Sequence, residues 1–160
     1  MKVHEIMTHT VVTVAPKSSF KNVWKILFES RVNALPVVDR NKKLLGIITK
    51  EDLLKKLYPD YQDLIEDFTN ASDFEAMESK IGTISGYTAR ELMNVRVIFT
   101  RTDTPAMRAL SRMIARRVNQ LPVVNEEDIV VGMITKGDVF YALFRKHLKR
   151  EKRKKQLAAT

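Results

Sequence analysis

Two short segments hold a hydroxyl, a cation and a carboxylate within four residues: Thr49-Lys50-Glu51-Asp52 and Thr135-Lys136-Gly137-Asp138. Each follows an apolar run containing a glycine, Gly46-Ile47-Ile48 in one case and Gly132-Met133-Ile134 in the other, and each opens a stretch patterned as a helix. A helix N-terminus offers free backbone N–H groups and a partial positive charge, which suit a phosphate. Thr49 and Thr135 add a hydroxyl donor to that phosphate, and Lys50 and Lys136 add positive charge. A carboxylate such as Asp52 or Asp138 accepts hydrogen bonds from both hydroxyls of a ribose. The glycine lets another group approach the strand backbone closely. These parts suit an adenosine phosphate. Thr-x-x-Asp is equally a capping box, with threonine as the cap and the acid three residues on. Both readings stand at this point, because duplication copies caps as well as sites.

The elements that position these residues are themselves duplicated. Residues 31–52, RVNALPVVDRNKKLLGIITKED, and 117–138, RVNQLPVVNEEDIVVGMITKGD, are identical at 12 of 22 positions without a gap, 86 residues apart. Met7 and Met93 share that offset, as do Val11 and Val97. In each copy a short apolar run, VVTV (11–14) or VRVIF (95–99), reads as a first strand. A helical stripe follows: Phe20, Val23, Trp24, Leu27 and Phe28 in one copy, Ala106, Ala109, Leu110, Met113 and Ile114 in the other. Ser18 or Ser19 is placed to cap the first helix, and Thr104 the second, with Pro105 at its first position. Two β-type runs joined by a short polar connector then form a hairpin, and a helix closes the unit. Pro36 and Pro122 are expected at a strand start or edge, since proline has no N–H for a ladder. Each unit is β-α-β-β-α, and at ~50 residues each buries too little surface to stand comfortably alone. The fold class is therefore α+β, with two repeats packed as a pseudo-two-fold pair.

The chain divides into repeat 1 (1–58), an acidic connector (59–90), repeat 2 (91–145) and a basic tail (146–160). The connector contains Pro59, which ends the preceding helix, two short helical stretches, YQDLIEDF and DFEAMESKI, and a turn marked by Gly82 and Gly86. The net charge of the chain is +9, but residues 145–156 alone contribute +7, while 59–91 carry −6. The basic tail is expected to continue the last helix. Solvation, pairing with the acidic connector, an acidic partner and nucleic acid are its alternative roles.

Several function classes are excluded. The three histidines, His4, His9 and His147, lie near the termini with no nucleophile beside them. No Gly-rich phosphate loop or metal-ligand spacing occurs, and cysteine is absent. Carboxylates such as Asp67 and Asp73 read as solvated. No catalytic residue, metal ligand or required cofactor is expected. The N-terminal MKVHEIMTHT lacks an apolar signal core, and no apolar run approaches the ~20 residues of a membrane span, so a cytoplasmic location is expected.

The pattern as a whole resembles a pair of CBS (cystathionine-β-synthase) domains forming a Bateman module. The residues that carry the resemblance are Met7-Thr8, VVTV, RVNALPVVD and GIITKED in the first half, with Met93, RVNQLPVVN and GMITKGD in the second; it spans residues 5–58 and 91–145. The resemblance implies a regulatory module holding an adenosine ligand (AMP, ADP, ATP or similar) in a cleft between the copies. By it, Thr49 and Thr135 supply the phosphate hydroxyl and Asp52 and Asp138 the ribose carboxylate, with Lys50 and Lys136 nearby. The other copy supplies Ser18, Asn33, Ala34 and Pro36, or Thr104, Asn119, Gln120 and Pro122. Each site is then composite: Thr49 and Asp52 with Thr104 and Asn119, and Thr135 and Asp138 with Ser18 and Asn33. Family members that grip several phosphates place His or Arg just before Leu-Pro-Val; Asn33, Ala34, Asn119 and Gln120 are neutral. That leaves a monophosphate or a nucleoside-type ligand in play and predicts two sites of unequal affinity.

The resemblance also implies a homodimer, consistent with Phe140, Tyr141, Leu143 and Phe144 on the last helix, which cannot all face one core stripe. No effector domain is read within these 160 residues, so the output is expected to act on another protein, or the chain is a fragment of a longer one. The alternative reading is an interaction module without a small ligand, or one that binds nucleic acid or an acidic partner through the basic tail.

Overall fold

A computed structural model describes residues 1–57 and 72–158. Pro59, YQDLIEDF, Asp67 and the side chain of Asp73 lie outside the described residues. The chain forms two compact units, Val12–Val97 and Met1–Val11 with Ile98–Thr160. The units are thus offset from the sequence repeats: the first eleven residues pack with the second repeat, and the residues leading into that repeat pack with the first.

The first unit contains α1 (Phe20–Glu29), β1 (Ala34–Val38), β2 (Leu44–Thr49), α2 (Lys50–Leu57), α3 (Ser72–Ile84) and α4 (Ala89–Leu92). Ser19 caps α1, its hydroxyl accepting the N–H of Asn22 at 3.3 Å. The apolar stripe behaves as its spacing predicts: Phe20, Val23 and Leu27 are buried, with Trp24 and Phe28 packed at the margin. The core closes against Leu35, Val37 and Ile48 of the hairpin, Leu53 and Leu57 of α2, and Ile84, Ala89 and Leu92. The expected DFEAMESKI helix is α3, and Gly82 lies inside it, so the turn before α4 falls later, at Ser85-Gly86. Thr88 and Glu91 form a capping box on α4; the Thr88 N–H bonded to Glu91 at 2.7 Å holds that carboxyl below its ordinary range.

The second unit contains β3 (Thr100–Arg101), α5 (Ala106–Ala115), β4 (Gln120–Val124), β5 (Val130–Thr135) and α6 (Lys136–Ala158), preceded by a 3-10 turn at Val3–Glu5. Its core joins Val3 and Met7 to Ala106, Ala109, Leu110 and Met113 of α5, Leu121, Val123 and Ile134 of the hairpin, and Val139 of α6. Ile114, expected on the buried stripe, is 58% exposed: it sits in the last turn of α5, at about 100° per residue on the edge of the stripe formed by Ala106, Ala109, Leu110 and Met113. Pro105 is the N-cap of α5, not its first residue, and Thr104 does not cap it. The Thr104 hydroxyl instead accepts the N–H of Arg101 at 3.3 Å.

The two hairpins repeat each other closely. Both are antiparallel, with one register shift, at Val37/Val38 and at Val123/Val124. Both turns are closed by one side chain: Asp39 accepts the N–H groups of Asn41 and Lys43, and Asn125 those of Glu127 and Ile129. Left-handed residues recur 86 apart, at Lys42 and Asp128 in the turns and at Arg31 and Arg117 after α1 and α5.

Two expectations need correction. The apolar runs 11–14 and 95–99 are not strands. Val14 makes a single parallel bridge to Val37, and the strand of the second repeat is only Thr100–Arg101, paired in parallel with Val123 and Val124. Hydrophobicity located the chain but overstated how long it runs beside its partner. Both prolines are buried mid-strand: Pro36 lies in β1 of a two-stranded sheet, an edge strand as expected, whereas Pro122 lies in β4, the central strand of its sheet. Their hairpin partners, Ile47 and Met133, direct both backbone groups outward, to Asn94 and Thr8. The ladder therefore asks no N–H of proline at these positions.

Thr100 is the buried residue at odds with its surroundings. It is 1% exposed, and its hydroxyl has no hydrogen-bond partner. Val14 occupies the same place in the first repeat. An unpartnered buried hydroxyl costs about 1–3 kcal/mol. Thr100→Val is therefore expected to raise stability by about 1 kcal/mol in urea denaturation, and a loss of stability would show that the hydroxyl is satisfied.

Candidate functional site

Each Thr-x-x-Asp segment lies where a hairpin strand turns into a helix. At the first mouth, β2 ends on Thr49 and α2 begins at Lys50. The Thr49 hydroxyl accepts the Asp52 N–H at 3.0 Å and donates to Asp52 Oδ2 at 2.6 Å. At the second mouth, Thr135 Oγ1 accepts the Asp138 N–H at 3.0 Å and donates to Asp138 Oδ2 at 2.8 Å. There Oδ2 also takes the Thr135 N–H at 2.8 Å, completing a reciprocal capping box. The capping role is thus realised in both copies. It uses only one oxygen of each half-buried carboxylate, since among the described residues Oδ1 of Asp52 and of Asp138 takes no hydrogen bond. Cap and acceptor are therefore compatible functions of one side chain.

The residues before each Leu-Pro-Val are tied to the mouth of their own repeat. The Lys50 N–H donates to the Asn33 carbonyl at 3.1 Å and the Lys136 N–H to the Asn119 carbonyl at 3.0 Å. Ala34 stands opposite Thr49 and Gln120 opposite Thr135 in the hairpin register. Ala34, Pro36 and Pro122 are buried and act as frame, whereas Asn33 and Asn119 are exposed. Ser18 and Thr104 sit just ahead of α1 and α5, their carbonyls accepting the N–H groups of Ala89 and Val3.

The lysines differ between copies. Lys50 Nζ lies 5.4 Å from the centre of the Phe28 ring, which itself stacks on Trp24 with centroids 4.1 Å apart. Lys136 Nζ instead donates to Asn119 Oδ1 at 3.2 Å.

One further group closes over each glycine. It is a methionine from outside the hairpin. A Cβ on Gly46 would lie 2.7 Å from Met93 Cγ, and one on Gly132 would lie 2.6 Å from Met7 Sδ and 3.0 Å from the Thr8 carbonyl. The signal was present in the sequence, since Met7 and Met93 share the 86-residue offset of the glycines. Among the described residues no cluster of ligating side chains could hold a metal, and no helix is long and apolar enough to cross a membrane.

Known proteins similar to the chain include the following three. It is 26% identical to CBSX2 from Arabidopsis thaliana, whose crystal structure was solved in complex with AMP; the match covers 91% of this chain and 98% of that one, with a TM-score of 0.71. It is 25% identical to the CBS domain pair of protein MJ0100, solved in complex with 5-methylthioadenosine and S-adenosyl-L-methionine, covering 91% and 98% with a TM-score of 0.67. It is 28% identical over 138 residues to an inosine-5'-monophosphate dehydrogenase from Methanocaldococcus jannaschii, a match covering 86% of this chain but only 23% of the length of that enzyme. The CBS domain model matches residues 3–59 and again 89–145. With both repeats matched over most of its length, and with its α+β hairpin-and-helix units, the chain belongs to the CBS domain family.

Proposed function

We propose that the chain is a regulatory module that binds an adenosine ligand at its two Thr-x-x-Asp helix mouths and passes the occupancy to another protein. The observation that carries this reading is the spare Oδ1 of Asp52 and Asp138, beside a threonine hydroxyl, at a helix N-terminus in both copies. Relatives of similar length crystallised with AMP, and with methylthioadenosine and S-adenosylmethionine, support the ligand class. In this reading Asp52 and Asp138 accept the ribose hydroxyls, while Thr49, Thr135 and the adjacent backbone N–H groups meet the phosphate. Asn33, Ala34, Asn119 and Gln120 bring no charge to that phosphate. The mouths themselves therefore favour a monophosphate or a nucleoside. Lys50 rests on an aromatic ring and Lys136 on an amide, so the two copies bind with unequal affinity.

Regulation then follows from differential affinity: a ligand that prefers one arrangement of the module shifts its population, and a partner that prefers the same arrangement responds. The partner is a second protein or a further domain of a longer chain, and the module pairs with its own copy through the exposed Phe140 and Phe144, which are 59% and 62% accessible. Catalysis forms no part of this reading.

A thermal-shift panel of AMP, ADP, ATP and S-adenosylmethionine tests it. A ligand at 100 times its Kd stabilises the native state by about 2.7 kcal/mol, so at least one member should raise the Tm by several degrees. No shift across the panel would leave the Thr-Asp pairs as caps alone.

A further inference from the structure

Within the second unit, the N-terminal segment and α6 border an open-sided groove of about 640 Å³. Asp138, Tyr141, Ala142, Arg145, Lys146 and Lys149 line it from α6, spaced i, i+3, i+4, i+7, i+8 and i+11, so that one helical face forms the wall. Opposite lie the apolar side chains of Ile6 and Met7, with Glu5 and His9. The volume falls in the range of small-molecule sites, roughly 300–1,000 Å³.

The charge on this wall is unbalanced. Arg145, Lys146 and Lys149 are exposed, and among the described residues none of them forms an ion pair. Arg145 and Lys149 stand one turn apart and repel each other. Of the two carboxylates present, Asp138 spends one oxygen on its cap. Glu5 faces the N-terminal ammonium at 3.7 Å and accepts the Lys2 N–H, the bond that chiefly holds its carboxyl below the ordinary range. Three cations on one face of a concave, part-apolar surface call for a compact anion of more than one charge. Linked phosphates have that density, and the flanking Tyr141, Ile6 and Met7 suit the organic part of the molecule.

We propose that this groove binds small molecules carrying two or more linked phosphates, with Arg145, Lys146 and Lys149 as the phosphate ligands. The proposal rests on the preceding reading at one point, because Asp138 belongs to both the groove and the second helix mouth. Arg145 stands seven residues beyond Asp138, about 10 Å along the helix axis. The basic wall thus lies beyond Asp138 on the side away from Thr135, and offers a polyphosphate held in the groove itself the charge that the neutral residues before Leu-Pro-Val do not provide.

Calorimetric titration of the full chain with AMP, ATP and inorganic tripolyphosphate tests this, in the native sequence and in the R145A/K146A/K149A variant. In the native chain ATP should bind more tightly than AMP, and tripolyphosphate should bind on its own. In the variant, ATP should lose at least about tenfold more affinity than AMP, the scale of one to two charge-assisted contacts, and tripolyphosphate binding should disappear. Thermal melting should show the variant folded, since all three side chains are exposed. Equal losses for AMP and ATP, or no loss for ATP and tripolyphosphate, would overturn the groove. The two proposals fail separately. Groove-dependent tripolyphosphate binding without AMP binding removes the adenosine reading and keeps the groove. AMP binding with ATP no tighter, and a silent variant, does the reverse.

Discussion

Asp138→Ala is expected to lower the affinity for AMP about 100-fold at one of two sites, and Asp52→Ala to do the same at the other. Hydrogen bonds to a charged group contribute about 1.5–3 kcal/mol each, and a loss near 2.7 kcal/mol is a factor of 100. Both aspartates also cap a helix, so alanine costs stability as well, about 1 kcal/mol on the scale of a lost cap. The cost should be larger for Asp138, which accepts both the hydroxyl and the N–H of Thr135, than for Asp52, which accepts the Thr49 hydroxyl alone. Asparagine separates the two roles. It keeps an acceptor for the cap but removes the charge that strengthens the ribose bonds. Asp138→Asn should therefore retain most of the stability and still lose most of the AMP affinity. Calorimetry paired with urea denaturation reads both quantities. Affinity that tracks stability across the series would reduce the carboxylates to caps.

The second large effect belongs to the glycines. A methyl group on Gly46 would lie 2.7 Å from Met93 Cγ and 2.9 Å from its Cβ. Met93 itself is anchored by the bridge in which Ile47 and Asn94 exchange backbone hydrogen bonds of 3.1 and 2.9 Å. Gly46→Ala must therefore push a chain segment off the hairpin, with a cost at the upper end of the roughly 1–3 kcal/mol typical of overpacking. Gly132→Ala meets the thioether of Met7 and the carbonyl of Thr8, which is held in the matching bridge to Met133, and should cost a similar amount. Shortening Met93 to alanine in the Gly46→Ala background removes Sδ and Cγ but leaves Cβ, so part of the loss should return. A double-mutant cycle in urea shows this as a coupling energy. Strict additivity would mean that the methionine does not occupy the space above the glycine.

How much of this was legible depends on the range of the interaction involved. The helical stripes, the hairpins and the Thr-x-x-Asp caps are local, set by residues three to six apart, and the duplicate copy checks each of them. Ile114 broke the pattern because it lies at the edge of the stripe, where spacing alone does not decide burial. The strands at 11–14 and 95–99 were overstated because apolar runs mark burial, and ladder length depends on a partner many residues away. Pro122 was misplaced for a related reason: whether a central strand needs the N–H of proline depends on where Met133 points, and that is set by Thr8. The capping at the mouths could be read from residue type, but not the division of each aspartate into a capping and a free oxygen. The basic groove was invisible, since it requires residues 1–9 to lie beside α6, about 130 positions away. The tail was correctly identified as a concentration of charge, but its first cations belong to a groove wall.

The most direct measurement is a crystal structure of the full chain grown with AMP. The account predicts density for the nucleotide with its ribose hydroxyls within hydrogen-bonding distance of Asp138 Oδ1 or Asp52 Oδ1, and its phosphate at the Thr135 or Thr49 helix mouth. A nucleotide bound with its ribose away from both aspartates would contradict the account.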